Sequence, residues 1–417
     1  MESKDFDMQS YILIQNNFES RLASRSGGAF AAISDVVLKN HGVVYGAILT
    51  DELEVKHARA TTFQERDKMR GSKYVQSNLY DIFHSVKEDL NKGLLVLFSG
   101  TSCQTAGLRN YIGDDNSSIP NLITCDILCH GVPSQNLFRS FIEYVEDVKG
   151  KKIKTIDFRN KLKLGWASHK ETTVYEDGSE EDAYIWSRFF HSEAIMKPSC
   201  HNCPYHSLNR PSDITIADAW GAIKDQPKLN DDNGISLLLC NTQKGFGLFE
   251  KIEDCLIERI ELSEAYKEGP ISKDYATPYY ANRLWKIYKR KGFGKALSYL
   301  KKTNFKDGVK SRLRKELHLK AKPIKPLTKI NKKEDFYYQQ YMNLDKKNPK
   351  ISLPVIYATK NECMGCTACY NKCLDIRCAI EMKQDSKGFY YPVVDASKCI
   401  GCHSCEKACP FRKDYKH

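Results

Sequence analysis

Two stretches toward the C-terminal end repeat one spacing. CMGCTACYNKC starts at Cys363 and CIGCHSCEKACP at Cys399, and both read C-x2-C-x2-C-x3-C. Three cysteines so close in a tight loop wrap one 4Fe-4S cubane, and Gly365 and Gly401 let the backbone bend toward the sulfides. In this doubled pattern the fourth cysteine of each run ligates the other cluster, so the halves interlock. The expected ligand sets are Cys363, Cys366, Cys369 and Cys409 for one cluster, and Cys399, Cys402, Cys405 and Cys373 for the second. Zinc takes four ligands, commonly as paired C-x2-C, and leaves the doubled repeat unexplained. Between the runs, Ile380 to Met382 and Phe389 to Val394 read as a hairpin turning at Asp385–Gly388. The proline that usually follows the fourth cysteine is present as Pro410, but Leu374 follows Cys373. Extra residues there bring in Cys378, which reads as a packed thiol.

Two clusters in so small a unit, a two-cluster ferredoxin-like module, serve to relay single electrons. The remaining cysteines lie in a different setting. Short continuous apolar runs at Val43–Leu49, Leu94–Phe98 and Asn121–Leu128 read as buried strands. Helical periodicity falls between them, with Phe30, Ile33 and Val37 before the first and Leu137, Phe138, Phe141 and Val145 after the third. This alternation predicts an α/β domain with a largely parallel sheet, an α+β arrangement being the other possibility. Ligands in such sheets sit at the carboxyl ends of strands. Cys103, in the loop Ser99-Gly100-Thr101-Ser102-Cys103, and Cys129, in Cys129-His130-Gly131-Val132-Pro133, stand at two such ends. With the C-x2-C of Cys200 and Cys203 they make a donor set for a third 4Fe-4S cluster. The spacing alone equally suits two buried loop thiols beside a C-x2-C that binds nothing. Cys125, Cys240 and Cys255 sit inside apolar segments and read as core.

Ser24-Arg25-Ser26-Gly27-Gly28-Ala29-Phe30 opens a helix whose N-terminus favours an anion, as a phosphate-bearing cofactor would supply. A plain helix cap has the same composition. Gly71-Ser72-Lys73-Tyr74-Val75-Gln76-Ser77 is a polar stretch that suits either a cofactor loop or a surface turn. Neither the G-x-G-x-x-G fingerprint nor the Walker phosphate loop occurs at a strand-to-helix turn.

The 417 residues suffice for two or three domains, and 41% hydrophobic with 28% charged residues is ordinary for a soluble globular chain. Sixteen cysteines are not ordinary, and nine of them follow residue 360. In a large chain whose opening residues, MESKDFDMQS, carry no signal pattern, they favour metal or redox use over disulfides. No apolar run reaches the length of a membrane span, and the expected location is the cytoplasm. Of the net charge of +12, residues 301–335 hold +9. Val309, Leu313 and Leu317 make the first half of that stretch a candidate basic amphipathic helix. It reads as a solvated tether, or as a docking patch for an acidic redox partner or an anionic membrane surface. No motif supports nucleic acid as a partner.

Taken together and in order, Ser26-Gly27-Gly28, Arg70 to Ser77, Phe98 to Gln104, Cys129 to Pro133, and Ser212-Asp213-Ile214-Thr215 with Asp218 and Trp220-Gly221 resemble the beta-subunit family of coenzyme F420 hydrogenases and dehydrogenases. The resemblance covers roughly residues 15 to 290. It implies FAD beside one 4Fe-4S cluster on Cys103, Cys129, Cys200 and Cys203. The implied flavin site takes in Ser26, Gly27, Gly28, Gly71, Ser72, Lys73, Tyr74, Gln76, Ser77, Gly100 and Thr101, with Lys73 a candidate to offset negative charge on the reduced ring. The expected organisation is a flavin and iron–sulfur domain over 1–300, a basic linker over 301–350 and a two-cluster 4Fe-4S ferredoxin domain over 351–417. The expected function is electron transfer between ferredoxin-type clusters and FAD, with hydride exchange to a small-molecule acceptor such as a deazaflavin. A redox partner protein or ferredoxin-like donor completes that picture. The alternative is a non-catalytic electron-transfer subunit serving a partner enzyme. His130 is a candidate proton relay or backbone brace, and no residue is assigned a catalytic role from sequence.

Overall fold

The computed structural model describes residues 6–114, 118–221, 227–265, 271, 276–316 and 352–412. In chain order its first strands are β1 (Gln9–Gln15), β2 (Val43–Leu49), β3 (Val55–Ala60), β4 (Val96–Thr101) and β5 (Leu122–Ile127). There follow β6 (Ile153–Asp157), β7 (Glu171–Tyr175), β8 (Glu180–Ala183), β9 (Ile214–Asp218), β10 (Ser236–Cys240) and β11 (Cys255–Ile260). Eight of them form the frame, a mixed sheet of order β11-β1-β10-β9-β5-β4-β2-β3. Only the central run β2-β4-β5-β9 is parallel. The flanking pairs are antiparallel. The expected largely parallel sheet is thus corrected to a mixed one. Parallel neighbours need crossover connections, and helices Ile82–Asn91 and Ser102–Ile112 supply them before β4 and β5. Strands β6, β7 and β8 make a second, antiparallel sheet that stands apart.

The helices form where the periodicity places them. Ala29–Lys39 buries Ile33 and Val37 on the sheet, and Gln135–Lys149 buries Leu137, Phe138, Phe141 and Val145. Ser134 caps the latter, its side chain accepting from the Leu137 N–H. Helix Ala281–Glu316 packs on it and kinks at Gly292, where φ is 75°. Val309 and Leu313 lie on its backbone path, but side chains beyond residue 303 fall outside the described residues, as do Leu317 and most of the basic tether.

The C-terminal segment carries β12 (Ile380–Gln384) and β13 (Tyr390–Val394) as an antiparallel hairpin, and it docks on the sheet domain. Phe389 and Tyr391, both fully buried, join the core of Phe138, Phe141, Trp186 and Trp285. Polar contacts fix the register of the docking. Asp375 accepts from Lys87 Nζ at 2.7 Å and Tyr111 OH at 2.9 Å, and His84 Nδ1 lies 3.0 Å from it. Asn371 Nδ2 donates to Tyr80 O at 3.2 Å, and Ser134 OH to Lys387 O at 2.6 Å.

Candidate functional site

At the carboxyl ends of the parallel strands the sheet opens into a cavity of ≈ 300 Å³. Strand polarity places it there: β4, β5 and β9 all point their C-terminal ends at the same edge. Ten of the eleven proposed flavin contacts line it, from the Ser26–Gly28 turn, the Gly71–Ser77 stretch and the Gly100–Thr101 end of β4. Gly27 does not. A Cβ on it would meet Leu13 O at 2.1 Å and Ser236 N at 2.6 Å, so its place is the close approach of the turn to the sheet. Cys103 and Cys129 line the same cavity, and Met364 and Gly365 of the C-terminal segment close one side.

The cysteines fall into three groups. Burial first, and then the neighbouring thiols Cys200, Cys103 and Cys203, push Cys129 well above the ordinary thiol range. Cys103 is pushed up to about 12 by burial, with Cys203 and Cys200 adding to it. These four come from three loops, as strand polarity requires. In the C-terminal segment Cys369 lies within electrostatic reach of Cys366, Cys363 and Cys409. Cys405 lies within reach of Cys373, Cys399 and Cys402. The groups abut one another: Cys369 also feels Cys405, and Cys366 also feels Cys103. The order in space runs from the 373/399/402/405 group, through 363/366/369/409, to 103/129/200/203 and the cavity.

Backbone geometry accompanies each group. Gly365 and Gly401 have φ of 71° and 70°, and Thr367 and His403, each one residue past the second cysteine, have 64° and 55°. The two C-x2-C-x2-C loops therefore share one left-handed double bend, whose first half glycine supplies without strain. N–H groups of Gly131, Ala379 and Gly401 point at Cys129, Cys373 and Cys399 sulfurs at 3.3, 3.2 and 3.5 Å. Among the described residues no three His, Cys, Asp or Glu converge tightly enough for a single metal ion. A cubane spreads its thiolates over a wider frame, and the loop conformations suit it. Cys125 and Cys240 are core residues as expected, and Cys255 is half-buried at the sheet edge. Cys378, expected to be packed, is exposed, because it takes φ 53° at the end of the inserted turn and faces outward.

The cavity walls hold residues that no spacing announced. Arg25 lines it, with Nε and Nη2 buried and without a hydrogen-bond partner, and burial draws its pKa down to about 10. Arg159 beside it is satisfied, donating to Asp218 at 2.8 Å and to Trp166 O at 2.8 Å. Tyr74 stacks on Phe190 at 4.3 Å and Trp220 on Trp166 at 3.8 Å, forming flat apolar walls. Burial holds His57, His130 and His191 each near a pKa of 4, so all three are neutral at pH 7. Lys73, drawn down to about 7 by burial, donates to Arg70 O at 2.8 Å and Lys68 O at 3.0 Å. It therefore braces its own loop while standing at the cavity.

The Ser212–Thr215 run works beneath the site. Asp126, fully buried, pairs with Arg210 and accepts from Ser212 and Thr215 hydroxyls at 2.8 and 2.6 Å. Asp213 accepts from Thr124 N–H and OH at 2.8 and 2.7 Å. These bonds tie β5 to β9 just where the Cys129 loop leaves the sheet.

A sheet domain with an organic-ligand-sized cavity at its parallel strand ends, walled by one cysteine group and closed by a doubled cysteine module, defines an α/β protein built for thiolate-held metal beside a small-molecule site. Comparison with known proteins is specific within that class. Residues 94–265 belong to the family described as the C terminus of the coenzyme F420 hydrogenase/dehydrogenase beta subunit, and residues 390–411 match the 4Fe-4S binding domain. The first segment contains Cys103, Cys129, Cys200 and Cys203, and the second contains Cys399, Cys402, Cys405 and Cys409. No curated protein matches the chain. Among solved structures, a chain of the F420-reducing [NiFe] hydrogenase complex from Methanosarcina barkeri aligns at 17% identity and a TM-score of 0.45, over 71% of this chain and 97% of its own.

Proposed function

We propose that the chain is an iron–sulfur flavoprotein oxidoreductase, organised as a flavin and iron–sulfur domain over 1–300, a basic linker over 301–350 and a two-cluster ferredoxin domain over 351–417. The observation that carries this reading is the succession of three cysteine groups ending at the cavity. Cys373, Cys399, Cys402 and Cys405 would hold the outermost 4Fe-4S cluster, Cys363, Cys366, Cys369 and Cys409 the middle one, and Cys103, Cys129, Cys200 and Cys203 the innermost. When bound, the clusters supply single-electron relay and FAD supplies exchange between one-electron and hydride chemistry.

The chain's own residues bind, orient and exclude water. The unpartnered Arg25 guanidinium and the adjacent start of helix Ala29–Lys39 offer an anion site for the cofactor's phosphates. Tyr74, Phe190 and Trp220 bound a flat slot suited to a planar ring. Neutral His130 and His191 stand in reach of a bound acceptor as hydrogen-bond or proton partners. Among the described residues no helix is long and apolar enough to cross a membrane. A second reading, an electron-transfer subunit without an organic substrate of its own, draws on the outer cysteine group, where Cys402 and the neighbouring Ile376 and Ile400 are exposed to a partner.

Anaerobic purification with iron, sulfide and flavin counted per chain tests the proposal. About twelve irons and one FAD are expected from three cubanes and one flavin site. About eight irons with no flavin would leave only the C-terminal module functional and remove the enzyme reading.

A further inference from the structure

Between the middle and inner cysteine groups lies a lysine that the relay just described does not use. Lys197 is fully buried. Its Nζ donates to Tyr390 O at 2.9 Å and sits 3.5 Å from the centre of the Tyr391 ring and 5.3 Å from that of Phe389. The segment it begins straddles both groups: Cys200 N–H donates to Lys197 O at 2.9 Å, and Ser199 OH donates to Cys363 O at 3.1 Å. A Cβ built on Gly365, inside the middle loop, would lie 3.5 Å from Lys197 Cε.

Burying an ammonium costs several kcal/mol unless opposite charge or a full set of acceptors replaces water. One carbonyl and two ring faces are a partial replacement. The charged neighbours of Lys197 are Cys363, Asp385, Cys200 and Cys103, and Asp385 is already bound to Lys360 Nζ at 3.0 Å. What remains to balance the cation is thiolate charge, from one cysteine of the middle group and two of the inner. A cubane held by four thiolates is a net anion and becomes more negative on reduction. A fixed cation between two such anions favours the reduced state of both.

We propose that Lys197 is a shared counter-ion for the middle and inner clusters, a positioning residue that raises both reduction potentials and leaves the outer one alone. The inference rests on the three-cluster reading. It also explains why a charged side chain occupies a junction otherwise lined by Phe389, Tyr391 and sulfur.

The test is an anaerobic redox titration of the full-length holoprotein followed by electron paramagnetic resonance, comparing wild type with Lys197→Met, Lys197→Gln and Lys197→Arg. In the Met and Gln variants, two of the three one-electron reduction equilibria should shift by about tenfold toward the oxidised form, which is 59 mV for a one-electron couple. The third should stay in place, and Lys197→Arg should keep wild-type values. Loss of two clusters in both neutral variants but not in Lys197→Arg would support the charge role equally. Fewer than two shifted equilibria, equal shifts in all three, or cluster loss in the Arg variant as well would overturn it. A wild type with fewer than three couples would instead sink the three-cluster reading itself.

Discussion

Gly107 provides a test of how closely the C-terminal module must approach the sheet domain. It is buried in the middle of helix Ser102–Ile112, and a Cβ there would lie 2.8 Å from Cys366 Sγ, 2.9 Å from Cys366 Cβ and 3.4 Å from Phe83. Gly107→Ala brings two opposing effects. Replacing glycine inside a helix stabilises it by up to about 1 kcal/mol. Overpacking a close contact costs about 1–3 kcal/mol, and Cys366 cannot swing aside freely because its loop is pinned by the left-handed Thr367 and by Asn371 bonded to Tyr80. The net expectation is a loss of up to about 2 kcal/mol, falling on the docking of the module. Gly247 is the control: it lies in helix Gln243–Phe249, and a Cβ there meets nothing within 4 Å. Thermal unfolding of both alanine variants with iron counted per chain decides the matter. Gly247→Ala should raise the midpoint slightly, while Gly107→Ala should lower it by a few degrees and shed iron. A Gly107→Ala protein as stable as the control variant with full iron would show that the module does not sit this close.

Three further expectations follow from buried charge. Arg25→Met should weaken flavin binding by about ten- to a hundredfold, the worth of one or two charge-assisted hydrogen bonds, while leaving unfolding stability unchanged or higher, because an unpartnered buried cation is removed; flavin titration and denaturant unfolding on one preparation separate the two. Arg210→Met should cost about 3–5 kcal/mol in urea unfolding by stranding Asp126 in the core, and Asp126→Asn added to it should recover part of the loss. His57, held near 4 by burial against an unfolded value of about 6.5, has its folded pKa depressed, so the unfolded chain binds the extra proton. Its contribution, about 3 kcal/mol, is complete above pH 6.5 and lost as pH falls toward 4; unfolding measured across that window should have a shallower slope in His57→Gln, and an unchanged slope would sink the assignment.

How far a sequence discloses this molecule depends on how local each feature is. The C-x2-C-x2-C loops and the β12–β13 hairpin are closed by residues a few positions apart, so spacing alone discloses them. β2 is legible to the residue, because Val43–Leu49 is apolar throughout. β4 reads as Leu94–Phe98 from its apolar run but spans Val96–Thr101. Its last three residues are polar because they form the rim of the cavity, and an apolar pattern stops where function begins. β1 pairs with β10 and β11 across more than two hundred residues, and nothing in Gln9–Gln15 specifies partners so distant. Arg25, Arg159, His169 and His191 reach the cavity from four separate places in the chain, each as one residue of unremarkable type. The signal that finds them is an unpartnered or depressed charge in a shared space, which exists only after folding.

The thiols also explain why one fold joins these two units. Burial and mutual repulsion hold Cys103, Cys129, Cys366 and Cys369 far above the pKa at which a free thiol ionises near neutrality. Only a bound cation reverses that preference, because iron stabilises the thiolate more than burial penalises it. Cys366 at the junction belongs to the module by sequence, yet it packs on Gly107 of the sheet domain and feels Cys103 across the interface. Loading the middle and inner groups therefore stabilises the same surfaces that hold the module in place. Metal occupancy and domain docking become one equilibrium, and the connection between the two units need contribute little to it.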